Sequence, residues 1–306
     1  MRAKMPSRGM PAGERALAKR LSEATRNGEP LGSAVAVPTS RYWSLLRSAS
    51  HIVLGALIGL LIWEGFALVF NASGSTLGFP YPLDTFSRLG EYLFEGRMLY
   101  GHTIYEHILA SVQRLFVAFC LAAACGIALG SVLGYFGRLY PIGMVPVSIY
   151  QMIPGLACLP IAILLFGLGD SAAVFIIFAV SSMVITIGVS SGIRMVPEVL
   201  VNAAKMMGAG GLAVFCRVLV PQAAASIVNA LRLGMSSAWR VLIAAERVVG
   251  TGIGVGRSIE LTRDLLDYVG SFACITVICL VGLFIDRVLL ASVERWMRHR
   301  LGVEEG

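Results

Sequence analysis

Six stretches of the chain stay apolar long enough to cross about 30 Å of hydrocarbon at roughly 20 residues per span: residues 51–70, 106–135, 141–166, 171–193, 222–248 and 269–291. In lipid every backbone N–H and C=O must find its partner within its own segment, so runs of this length predict helices. The expected fold is an all-α polytopic membrane protein with a transmembrane domain over 51–291. Residues 1–50 are rich in Ala, Ser, Gly and Pro with scattered Arg and Lys, the composition of a basic, largely disordered tail, and 292–306 form a second short tail. The first apolar run starts too late for a signal peptide, and no cleavage site follows it.

The segments differ in what interrupts them. Gly126, Gly130 and Gly134, with Ala122 in the same row, recur every four positions in the second and predict a face where another helix approaches closely. The third carries Pro141, Pro146, Pro154 and Pro160. Its freed backbone groups need partners, which places it inside the bundle near a wet cavity, or else makes it a simple kinked helix. Between the first two spans, residues 71–105 are too long for a tight turn, and Thr85 to Phe94 puts Phe86, Leu89 and Leu93 on one face of a short surface helix.

The break between the fourth and fifth spans, residues 195–221, has its own pattern. Pro197 and Glu198 suit a helix start, Lys205 suits a helix end, and Gly208 suits the left-handed residue that closes it. A second amphipathic stretch follows, with Leu212, Phe215, Val218 and Leu219 on one face and Pro221 limiting its length. The prediction is a helix-turn-helix knuckle whose small residues Ala203, Ala204 and Gly208 admit another protein's backbone; a plain connector between spans is the alternative.

Composition agrees with the membrane reading: 57% of residues are hydrophobic, 14% are charged, and mean hydropathy is +0.77. Charge sets the orientation. Seventeen basic residues fall on one side of the predicted spans, in the N-terminal tail, at Arg138, around the knuckle (Arg194, Lys205, Arg217) and at the C-terminal end, against Arg88, Arg97, Arg257 and Arg263 on the other. By the positive-inside rule both termini and the knuckle are cytoplasmic. Topology and anionic membrane lipid account for the net charge of +7 without a nucleic-acid partner.

The fifth span carries the candidate chemistry. Arg232 falls in its inner half, Arg240 in its outer half, and Glu246 and Arg247 at its outer end. Charges at such depth face a cavity or a partner. Arg240 and Arg247 share a face and, with Arg114 of the second span, could make the outer mouth attract anions. Snorkelling to headgroups, or pairing of Arg247 with a carboxylate, is the competing reading.

Other patterns carry less. His102 and His107 are five apart, where a helical metal pair favours four, and no Cys or acidic set completes a site, so no metal is expected. Gly188-Val189-Ser190-Ser191-Gly192 matches a serine nucleophile elbow but lies within a predicted span, away from every histidine. The alternating glycines from Gly250 to Gly256 read as a close-packed turn. None of the lysines (Lys4, Lys19, Lys205) follows a glycine, so a phosphate-binding P-loop is absent and no catalytic residues are expected. The six cysteines show no paired spacing and read as small hydrophobes.

The spacing Asn202-Ala203-Ala204, Gly208, Val218-Leu219-Val220-Pro221 resembles the signature loop of ABC-importer permeases. Leu115 to Gly137, the Phe166 to Asp170 turn, Leu231 through Arg240 to Glu246, and Gly252-Ile253-Gly254 resemble the branch serving nitrate, sulfonates, taurine and bicarbonate. Two positions depart from the pattern. Asn202 stands where the family usually has Glu, and Gly210-Gly211 replace a Ser-containing helix start.

The resemblance implies a multi-pass permease of the bacterial cytoplasmic membrane, moving a small anion inward by alternating access. It implies docking of ATPase subunits through Asn202, Ala203, Ala204, Gly208, Phe215, Val218 and Pro221. It also implies two ABC ATPase subunits that hold the ATP and magnesium, an extracytoplasmic binding protein and a second permease copy; this chain itself holds no cofactor. A permease of the same class for a neutral heterocycle such as a vitamin precursor stands as the rival. An ion-coupled secondary carrier would need buried acidic residues, and Glu64 and Asp286 lie toward span ends.

Overall fold

The computed structural model describes residues 39–73 and 78–290, with side chains from residue 53 to residue 287. The 1–38 part of the predicted tail, and residues 291–306, lie outside them. Among the described residues there are ten helices and no strand. They divide into two units, one ending at Ser73 and one beginning at Gly74.

The first unit is a single helix, α1 (Thr39–Ala72). It begins twelve residues before the predicted span at 51, and its apolar spanning part is Val53–Ala72. Thr39 to Ser50 hold neither Pro nor Gly, and nothing in that run stops a helix from extending past its apolar stretch.

The second unit opens with α2 (Pro82–Phe94), close to the expected short helix. Its buried face is Pro82, Thr85, Leu89 and Tyr92, and Phe86 is turned outward. Helix α3 (Ile104–Tyr135) starts with a capping box: Thr103 Oγ1 accepts from Glu106 N–H, and the Glu106 carboxylate accepts from Thr103 N–H. Then come α4 (Leu139–Met152), a 3-10 turn (Gly155–Cys158), α5 (Leu159–Phe166) and α6 (Asp170–Arg194).

Helices α4 and α5 replace the expected third span with a bend of 98°. Pro154 offers no N–H and forces Ile153 into an extended conformation (φ −74°, ψ 121°), and Pro160 suits the first turn of a new helix. The reading of this segment as a bundle-interior helix therefore holds only for its apex. There a Cβ on Gly155 would lie 3.0 Å from Val180 and 3.4 Å from Val241. None of α4 is buried within the chain. Among the described residues five helices are long and apolar enough to span a membrane, and the bent pair makes a sixth if it counts as one span.

Helix α6 is the centre of the bundle. Its neighbours approach so closely because the residues between them are small. A Cβ on Gly126, Gly130 or Gly134 of α3 would lie 2.7–2.9 Å from Ile185, Thr186, Val189 or Ile193 of α6. The predicted stripe thus lets two backbones approach closely in lipid. From the opposite side, Gly188 and Gly192 of α6 admit Ala230 and Ser226, each of which would stand 2.5 Å from an added Cβ. The elbow-like Gly188–Gly192 string is helix packing. Polar side chains in this dry contact turn back on their own helix: Ser182 donates to Ala179 C=O (3.1 Å), and Thr186 to Ser182 C=O (2.7 Å).

After α7 (Glu198–Met206) comes the largest departure from expectation. Instead of a second short helix ending at Pro221, one helix, α8, runs unbroken from Gly211 to Val248 for 38 residues. Pro221 cannot donate to the carbonyl four residues back. The ladder accommodates it by widening into a π turn at Phe215–Leu219, where Val220 N–H bonds the Phe215 carbonyl. The last two helices among the described residues are α9 (Val255–Asp264) and α10 (Tyr268–Phe284), the latter continuing as a π turn through Leu290. Asp267 accepts from Gly270 N–H at the start of α10 (3.0 Å) and binds Arg88 of α2 (2.8 Å).

Replacing Gly130 by Leu should push α3 off α6 and destabilise the protein by about 1–3 kcal/mol. Gly90→Ala in α2, where an added Cβ meets nothing within 4 Å, should hold stability or raise it by up to about 1 kcal/mol. Thermal unfolding in mild detergent tests both; equal midpoints for the two variants would contradict the packing argument.

Candidate functional site: the knuckle and the charged helix

Helix α7 ends as expected. Gly208 takes φ +83°, its N–H bonds Lys205 C=O (2.9 Å) and Ala209 N–H bonds Ala204 C=O (3.0 Å), the paired bonds of a left-handed helix stop. Gly210 then precedes α8 in an extended conformation (ψ 164°) without a side-chain cap. Gly211 is small for a packing reason, since a Cβ there would lie 2.7 Å from the Tyr135 hydroxyl. That space is what the Gly210-Gly211 departure provides.

The knuckle is seated on the membrane bundle. Ala204, Val214 and Leu219 are buried in one cluster with Ile193 and Val196 of the α6 end, and Val218 and Phe215 pack against it. The Phe215 ring also meets Tyr135 edge-on at 5.5 Å. Ala204, expected to meet a partner, instead faces inward; Ala203 is half-buried, and Asn202, Gly208 and Pro221 are exposed. The outward surface is apolar and was missed in the sequence. Val199, Met206, Met207 and Leu212 are all more than three-quarters exposed. The Met206-Met207 pair just before the glycine stop was the available signal, because a short amphipathic helix has no reason to spend two large apolar residues on solvent.

At the far end of α8 the ionisable residues form a closed network. Glu246 is fully buried. Its carboxylate accepts from Arg114 Nη1 (2.6 Å), from Ser111 Oγ (2.7 and 2.9 Å) and from Gly256 N–H (2.9 Å). Arg114 Nε donates to Asp170 (2.9 Å), and Ser111 Oγ accepts from Val255 N–H (2.9 Å). His107 spans the same loop, with Nδ1 3.1 Å from Gly254 N and Nε2 3.2 Å from Leu99 O. The alternating glycines now have a reason: a Cβ on Gly254 would sit 2.6 Å from the Glu246 carboxylate, and one on Gly256 2.5 Å from Ile243 C=O. The network clamps α3, α6, α8 and α9 together, and each of its charges has a partner.

The predicted arginines therefore separate. The expectation that Arg114 joins Arg240 and Arg247 at one mouth is not met, because Arg114 turns into the bundle to neutralise Glu246 and Asp170. Arg247 pairs with Glu260 of α9 (3.2 Å). Arg232 holds Asp286 (3.1 Å). Arg240 has no carboxylate within ion-pair distance among the described residues and donates to Ser237 (3.2 Å), one turn toward the knuckle. It lines a cavity of about 180 Å³ with Ser236, Trp239 and Asp286. His102 pairs with Glu106 (3.2 Å), and among the described residues no three potential metal ligands converge.

The outward faces of two spanning helices differ in kind. That of α3 is Tyr105, Leu109, Phe116, Val117 and Leu121, apolar as lipid requires except for Gln113 among them. That of α8 includes Gln222, Asn229, Arg232, Ser236, Arg240 and Arg247, spaced by three, four or seven residues and each at least partly exposed.

Comparison with known proteins agrees with this architecture. Residues 125–299 match the family described as binding-protein-dependent transport system inner membrane component. The bicarbonate transport system permease protein CmpB of Synechococcus elongatus is 30% identical over 85% of this chain and 93% of its own. The taurine transport system permease protein TauC of Escherichia coli is 28% identical over 63% of this chain and 70% of its own. A chain of the inward-facing MetNI methionine ABC transporter superposes with a TM-score of 0.56 at 18% identity, covering 63% of this chain and 95% of that one, a likeness of fold.

Glu246→Ala should leave Arg114 buried and unpaired, destabilising the fold by about 3–5 kcal/mol. Arg114→Met with Glu246→Met should recover a large part of that loss. Unfolding midpoints of the two variants check it; a double variant worse than the single would contradict the clamp.

Proposed function

The chain belongs to the binding-protein-dependent inner-membrane component family, the membrane subunits of ABC importers, and from that premise we propose how its parts divide the work. It is a transport subunit that spans the membrane several times. Its knuckle, α7 with the first turns of α8, receives an ATPase subunit on the cytoplasmic side, and ATP and magnesium are held there by the partner. A second copy of the permease, a second ATPase and an extracytoplasmic binding protein complete the importer. Both termini share the cytoplasmic side with the knuckle, as the basic residues favour.

Val199, Met206 and Met207 are the groups offered to the ATPase groove, with Asn202 and Gly208 beside them. Their exposure in water is unfavourable unless a partner covers them. Ala204, Phe215 and Val218 serve the same coupling from inside, joining the knuckle to α6 and α3 so that its displacement reaches the bundle. The unbroken α8 carries that displacement from the docking surface across the membrane.

The observation that carries the transport reading is the polar face of α8. A row with Arg232 and Arg240 at membrane depth does not face lipid, so it faces water or the second permease copy. Arg240, without a carboxylate of its own, is the group expected to meet the solute, with Arg232 and Arg247 charge-balanced above and below it. Arg114 and Glu246 hold the frame. A cation of this kind suits a small anion, the class named for the bicarbonate and taurine relatives, and disfavours a neutral heterocycle.

Two substitutions separate the halves of this reading. Met206→Glu with Met207→Glu should abolish co-purification of the ATPase while the chain still inserts and keeps its unfolding midpoint. Arg240→Gln should retain the ATPase but lower uptake of the transported anion at least about tenfold, the effect of losing one charge-assisted contact. Uptake by the chain alone, without ATP, would instead identify an ion-coupled carrier.

A further inference from the structure

We propose that a phospholipid of the leaflet on the knuckle side binds where α3, α6 and α7 meet, its phosphate held by Arg194 and Lys205. Two cavities adjoin there. One, of about 410 Å³, is lined by Arg194, Glu198 and Lys205 over a floor that includes Gly134, Val201 and Leu219. The other, of about 390 Å³, is almost wholly apolar, bounded by Ala128, Val132, Phe136, Leu212 and Phe215. Tyr135 belongs to the walls of both.

The two cavities have the proportions of an amphiphile. Ala128 lies two turns before Tyr135 on α3, so the apolar groove runs about 10 Å along the helix away from the knuckle, the direction of an acyl chain. The charged cavity sits at the helix ends, where headgroups lie. Among the described residues Arg194, Lys205 and Glu198 form no ion pair with one another or with any other group. Two cations and one carboxylate leave one net positive charge, matching the single negative charge of a phosphodiester. Arg194 is held in place by stacking 4.2 Å over the Tyr140 ring, and Gly137 lies beside its guanidinium, where an added Cβ would stand in ordinary contact at 3.8 Å. A free phosphate would satisfy the charges and leave the apolar groove uncovered; a lipid fills both. Because Lys205 is on α7 and Arg194 ends α6, the bound lipid would tie the knuckle to the bundle.

Lipid retention is read on the purified chain without ATPase or transport, so the test stands apart from the functional reading above. Native mass spectrometry after gentle detergent exchange should show tightly held phospholipid on the wild type. Arg194→Ala with Lys205→Ala should lower that occupancy about tenfold or more, since each basic side chain contributes about fivefold toward an anionic headgroup. Val132→Trp, which fills the apolar groove and keeps both charges, should lower it as well. Adding phosphatidylglycerol to delipidated wild type should raise the unfolding midpoint, and millimolar inorganic phosphate should not. Equal occupancy in all three proteins would overturn the proposal. So would equal stabilisation by inorganic phosphate, which would mark a free-anion site, or loss of the lipid from the charge variant only, which would mark a nonspecific headgroup attraction.

Discussion

Within hydrocarbon no polar group can be left to solvent, and most of this structure follows from that constraint. Spanning segments must be helical, and helices that pack without a hydrophobic driving force between them must do so through close contact of small residues. Glycines 126, 130 and 134 on one side of α6, and 188 and 192 on the other, meet that requirement. The hydroxyls of Ser182 and Thr186 bond their own helix, and Glu246 gathers a guanidinium, a hydroxyl and a backbone N–H around one carboxylate. The same rule explains the exceptions. Pro221 removes a donor inside a long helix, and the π turn before it re-pairs the ladder. Pro154 removes one in the third segment, where the chain bends by 98° instead.

Against that background the polar face of α8 stands out. On α6, Ser182 and Thr186 turn back on their own helix, and Glu246 is buried with its partners, yet Asn229, Ser236 and Arg240 of α8 point outward. One helix thus combines an exposed polar face within the membrane with an end that extends through the π turn into an exposed apolar surface. In the function proposed above, the solute path and the docking surface share this one helix and need no separate relay between them, only its displacement against α6.

Features that depend on local chemistry were legible in the sequence. The glycine stop at 208, the short helix before it, the glycine stripe and five of the six spans follow from spacing and conformational preference. Features that depend on which neighbour arrives were not. Ala203 and Ala204 differ by 100° around a helix, and only the position of the α6 end decides that Ala204 turns inward. Glu246 and Arg247 are adjacent and both read as outer-interface residues; the first is buried because the loop from Gly250 folds back to supply the N–H of Gly256. Pro221 marked a helix end by its usual effect, and the widening that removes that effect lies in residues 215–219, whose identities give no sign of it.

The central claim is that the outward face of α8 lines water in the assembled importer. Single cysteines at Asn229, Ser236 and Arg240, introduced into a cysteine-free chain with its ATPase and second copy present, would be tested with a membrane-impermeant thiol reagent beside cysteines at Phe116 and Leu121 of α3. The account predicts labelling at the α8 positions that changes when ATP binds, and none at the α3 positions. Labelling absent from α8 in every nucleotide state, or equal on both helices, would contradict it.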